Sequence, residues 1–154
     1  MESDGHQDAD GARYRAELGR VLDTSSPSVV RRLEAIRDIA TAGTDEVTID
    51  VFPDQEGHGT FAVWARFSGE GSFALDRQIG DERELFKVVW TEDGWEPAVP
   101  APPASWSTLH FENVLFDIVA EWIDLLIPPD STDLQWEVTT PDGTQGHRPV
   151  GPSR

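Results

Sequence analysis

The sequence predicts an α+β domain in which helices flank hairpin-connected strands, forming a mainly antiparallel sheet of about five strands. Three observations carry this. Apolar residues recur at helical spacing in 12–42 and again in 108–127. Between those stretches the apolar period drops to two, at 47–52 and 60–67. Turn-forming segments, PDQEGHGT, SGEGS and TEDG, punctuate the apolar runs.

Residues 1–11, MESDGHQDADG, read as an unstructured acidic tail. From Ala12, Tyr14, Leu18, Val21 and Leu22 share one helical face. TSSPS interrupts the pattern, and Ser26–Pro27 suits the N-cap and first turn of a second helix. That helix carries Val29, Val30, Leu33, Ile36 and Ile39 inward and ends near Gly43. The expectation is an N-terminal helical hairpin.

The strands at 47–52 and 60–67 follow, then SGEGS turns into a third short strand at about 72–76. GDERELF, 80–86, reads as a short helix or turn with Asp81 as its cap. KVVWTEDGWEPAV is a second hairpin turning on Asp93–Gly94, and its apolar residues at both parities predict two covered faces. PAVPAPPAS contains PxxP spacing. With no basic residue near it, this stretch reads as a stiff spacer.

A long apolar helix from Thr108 to Ile127 stops at Pro128–Pro129. Apolar residues cover more than half its circumference, so it must be sheathed by the domain, by packing on the sheet, or on one flank by a second copy. LQWEVTT, 134–140, suits a final strand, and 141–154 is turn-rich and expected to be loose. The domain thus spans 12–140.

Composition narrows function. A chain of 154 residues is sized for one domain, and six Trp with seven Phe supply bulky core material. A net charge of −17 opposes binding to nucleic-acid phosphates and to anionic membranes and attracts a basic protein or a cation. Lys87 and Asn113 are the only Lys and Asn, a bias expected of a GC-rich genome and also produced by halophily. The absence of cysteine removes disulfides, thiol catalysis and Cys-based metal sites. With neither an apolar leader nor an uncharged spanning stretch, the expected location is the cytoplasm.

Two clusters carry possible chemistry. Asp50, Asp54, Glu56 and His58 fall within nine residues. Asp54, Glu56, His58 and Gly59 imitate the start of a calcium loop, but Ala65 stands where the bidentate Glu belongs. A looser cation site on Asp54, Glu56 and His58 competes with a solvated hairpin tip, and the tip is the simpler reading. On the long helix, His110, Asn113, Asp117, Glu121 and Asp124 form the polar stripe. Carboxylates one turn apart can act as an acid–base pair or share a cation, but they also suit the wet edge of an apolar helix. His110–Phe111–Glu112 lacks the downstream Cys pair of zinc deaminases, and no nucleophile elbow or phosphate-binding glycine loop is present.

At VTIDVFPDQEG, LFKVVWTEDGWEPAVP and the Trp122 helix, the chain resembles small acidic domains of unknown function from GC-rich bacteria. That resemblance implies no catalytic residue. The element order also resembles the type III secretion chaperone-like fold, which implies a small, often dimeric protein that binds extended partner segments.

The expected function is therefore a non-enzymatic acidic module that binds a basic protein, as a chaperone or as a neutralising immunity partner. No cofactor is expected. Asp54, Glu56, His58, Trp64, Asp117 and Glu121 are the candidate contact residues, and helix 108–127 the candidate dimer face. The alternative is a metal-assisted or acid–base enzyme using the Asp50–His58 cluster or the Asp117/Glu121/Asp124 stripe.

Overall fold

A computed structural model describes residues 2–40, 43–54, 58–69, 71–141 and 146–152, with side chains described from Ala9 onward. One helix, α1, spans Glu2–Ala40. It begins inside the segment expected to be an acidic tail, and it replaces the expected helical hairpin. TSSPS does not break it. Tyr14, Leu18, Leu22, Val29, Leu33, Ile36 and Ala40 are all buried, so the apolar stripe stays in phase across the interruption. Pro27 removes one backbone donor, while Thr24 Oγ1 and Ser26 Oγ bond back to the carbonyls of Arg20 and Leu22. Tertiary burial overrides local propensity.

The sheet has five strands: β1 (Glu46–Pro53), β2 (Phe61–Phe67), β3 (Glu84–Lys87), β6 (Gln135–Thr139) and β7 (His147–Val150), in the order β3-β2-β1-β6-β7. Three of its four pairings are antiparallel; β1 and β6 run parallel, with Ile49 opposite Val138. The segment expected to be loose after residue 140 therefore supplies β7. Its Pro149 suits an edge strand, which needs no outward donor. β4 (Val89–Thr91) and β5 (Gly94–Glu96) form a separate two-stranded hairpin. Thr91 pairs with Gly94, so the two-residue turn is Glu92–Asp93, one position before the expected one.

The expected third strand at 72–76 is instead part of α2, Ser72–Ile79. Gly71 takes φ +81° before its first residue, and Leu75 and Ile79, one turn apart, face the core. A 3-10 turn, Gly80–Arg83, leads into β3.

The last helix, α3, spans Thr108–Leu126 and is capped by Ser107, whose hydroxyl accepts from the His110 amide. It lies within the chain rather than at its C-terminal end, because β6 and β7 follow. α1 packs against α3, α2 and β3, and α3 against β1 and β7, so that Val47, Ile49 and Val51 of β1 join one core with Phe61, Val63, Leu115, Ile123 and Trp136. α3's apolar surface is largely covered by this packing; Leu109 and Leu125 are its large side chains left in solvent. Trp122 Nε1 donates to Ser26 Oγ, tying α3 to the TSSPS stretch at 2.9 Å. No helix among the described residues is long and apolar enough to cross a membrane.

Candidate functional site

The hairpin end of the sheet gathers three segments. Pro53 ends β1, and the Asp54 carboxylate accepts from the His58 amide at 3.0 Å, closing the loop locally. Gly59 takes φ +82°, and a Cβ there would lie 2.7 Å from the Pro100 carbonyl, so the proline-rich strap at 97–107 presses directly on this loop. The His58 ring stands 5.6 Å from Trp95 of β5. Gly59 and the exposed His58, at the end of this loop, are thus held against the strap and β5. Glu56 lies outside the described residues.

From Trp95 the aromatic row continues to Trp90, directly opposite on β4, with ring centroids 4.9 Å apart in an edge-to-face arrangement. Trp90 is 68% exposed and Val89 43%. The expectation of two covered faces is corrected: the hairpin stands off the main sheet. Its only basic neighbour in sequence is Lys87, whereas Glu92, Asp93 and Glu96 surround the aromatic pair.

The polar face of the main sheet holds Trp64 and Asp50. Trp64 sits under the Arg83 guanidinium, 5.5 Å from its ring centre. Asp50 Oδ2 accepts from Arg66 Nε at 2.7 Å, while Oδ1 is buried with no hydrogen-bond partner among the described residues. Thr48 Oγ1 donates to Glu137 Oε1 at 3.2 Å, and that oxygen lies 3.1 Å from His147 Nδ1. Asp50 therefore belongs to a part-buried ion pair on β1–β2, apart from Asp54 and His58.

The α3 stripe is occupied as well. Asp117 accepts from Arg148 of β7 at 3.0 Å, Glu121 lies 3.7 Å from Arg15 of α1, and Asp124 accepts from the Gly151 amide at 2.7 Å. These carboxylates clasp β7, α1 and the segment after β7, each engaged by a different element. Among the described residues no three His, Asp or Glu side chains converge as a metal site.

Among the described candidate residues, Asp54 and His58 come together at one end of the sheet and Asp50 stands opposite Trp64 on its polar face; the exposed Trp90 joins His58 through the half-buried Trp95 and is itself legible in the sequence. The available signal was the cross-strand Trp90–Trp95 pair around a tight acidic turn.

Residues 9–154 match the model of a family of unknown function, DUF6389. No curated protein and no solved structure matches the chain.

Proposed function

Because the chain belongs to DUF6389, a family of unknown function, membership brings no activity with it, and we propose from the geometry that the protein is a binding module for a basic protein partner. The observation that carries this is Trp90, 68% exposed on a hairpin rimmed by Glu92, Asp93 and Glu96. A large aromatic left in water forgoes about 1.5–3 kcal/mol of burial, and Trp is the residue most enriched at interface hot spots. The surrounding carboxylates favour Lys and Arg on the partner, and the net charge of −17 speeds their encounter.

The test compares wild type with Trp90→Ala as bait against lysate of the source organism. We expect a stoichiometric partner of high isoelectric point, held by wild type at low salt and lost both by Trp90→Ala and at high salt. The melting temperature should not change, because Trp90 contributes little to the core. Recovery of the same partner by Trp90→Ala, or of no stoichiometric partner by wild type, would refute the reading.

A further inference from the structure

We propose that the groove beside β3 receives an extended segment of the partner protein as an additional strand of the sheet. This rests on the protein-binding reading above and adds where the partner chain lies and in what conformation.

β3 terminates the sheet, so among the described residues its outer side has no strand partner. All four of its residues, Glu84, Leu85, Phe86 and Lys87, line a groove of about 540 Å³. The opposite wall is a stripe of α1 at one-turn spacing, Thr24, Ser28 and Arg32, with Ser25 beside it. Arg32 Nη1 donates to the carbonyls of Asp81 and Glu84 at 2.9 and 3.0 Å, which fixes the start of β3 against α1. Four residues of strand give a bed about 13 Å long at ~3.3 Å per residue.

The lining suits a main chain better than an ion. Arg32 and Lys87 are offset by Asp81 and Glu84, so the groove has no net charge. The hydroxyls of Ser25 and Ser28 make no hydrogen bond among the described residues and face an incoming chain as donors and acceptors. Natural sheets guard their edges with Pro, charges or covering elements. The far edge, β7, carries Pro149. β3 carries charges only at its two ends, Glu84 and Lys87, and Pro97 borders the groove, so Leu85 and Phe86 form the uncharged stretch of this edge. The chain passes from Lys87 through Val88 straight into β4, so the acidic Trp90 hairpin stands at the end of this bed. A segment laid on β3 would carry a basic side chain onto Trp90, Glu92, Asp93 and Glu96. Main-chain pairing supplies affinity in such complexes and alternate side chains supply selectivity.

The experiment pans a phage-displayed random heptapeptide library against the full chain and titrates enriched synthetic peptides into isotopically labelled protein. Expected are peptides with alternating apolar and basic residues that slow amide exchange at 84–87. Ser28→Trp fills the groove from an exposed helical position and should weaken them about tenfold or more, as should N-methylation of alternate peptide amides, the first by blocking the bed and the second by removing strand hydrogen bonds. The fold of Ser28→Trp is checked by its unchanged circular dichroism and melting. Peptides that are lost with Trp90→Ala but indifferent to Ser28→Trp and to N-methylation would overturn the added strand while leaving the protein-binding reading in place. Failure to enrich any peptide would also overturn it.

Discussion

Tyr14 buries its ring edge-on against Trp106 and Phe111, yet its hydroxyl finds no hydrogen-bond partner among the described residues. Burial pushes that hydroxyl well above its ordinary value near 10. The neutral form is favoured in the folded state, so this contribution is fully present below pH of about 10. It is lost as pH rises through the raised folded value, because the unfolded chain releases its proton first. Tyr14→Phe deletes an unsatisfied polar atom and keeps the ring. We expect it to stabilise the fold by about 1 kcal/mol in urea titration at neutral pH, with a gap that widens above pH 10. Tyr14 is the sole tyrosine, so absorbance at alkaline pH reports it without overlap. Equal or lower stability of Tyr14→Phe at both pH values would contradict this account.

At the scale of elements, α1 shows what a sequence reveals and what hides it. TSSPS has the local chemistry of a helix break, and that chemistry suggested two helices. The decisive signal was also present: Leu18, Leu22, Val29, Leu33 and Ile36 keep one phase across it. β1, β2, the β4–β5 hairpin and α3 were legible because each has a sustained period or a strong turn. α2 was not, since five residues alternate too briefly to exclude a helix. The parallel β1–β6 pairing was not legible either, because nothing in β1 names a partner that distant. For the site, the acidic loop drew attention through its ligand-type residues, whereas the exposure of Trp90 is a tertiary fact. Pro27 gives the element-scale prediction. It is exposed inside α1, where proline removes a helical hydrogen bond, so Pro27→Ala should raise stability by about 1–3 kcal/mol. Thermal denaturation checks this; a lower melting temperature would mean that the helix needs the proline's restraint.

At the scale of the molecule, the centre of the sheet depends on the end of the chain. β1 is flanked by β2 and by β6, and β6 carries Trp136 and Val138 into the core. Trp136 donates to Ser131 Oγ inside the protein, so this last stretch of the chain is anchored by polar as well as apolar contacts. A chain stopped after Asp133 should lose cooperative unfolding and bind a hydrophobic dye, even though it retains three helices and three sheet strands. A sharp, unshifted melt of the truncated protein would rule this out. The same geometry bears on synthesis. β1 waits for a partner about 90 residues downstream, some 4–18 s at the ~5–20 residues per second of translation. Throughout that interval a nascent chain presents Val47, Ile49 and Val51 beside an open strand edge, the arrangement from which neighbouring chains on a polysome aggregate. The acidic residues spread along the first hundred positions give each unfinished chain a repulsive charge well before it can fold. Part of the protein's acidity thereby acts on the ribosome, on molecules that do not yet have a surface.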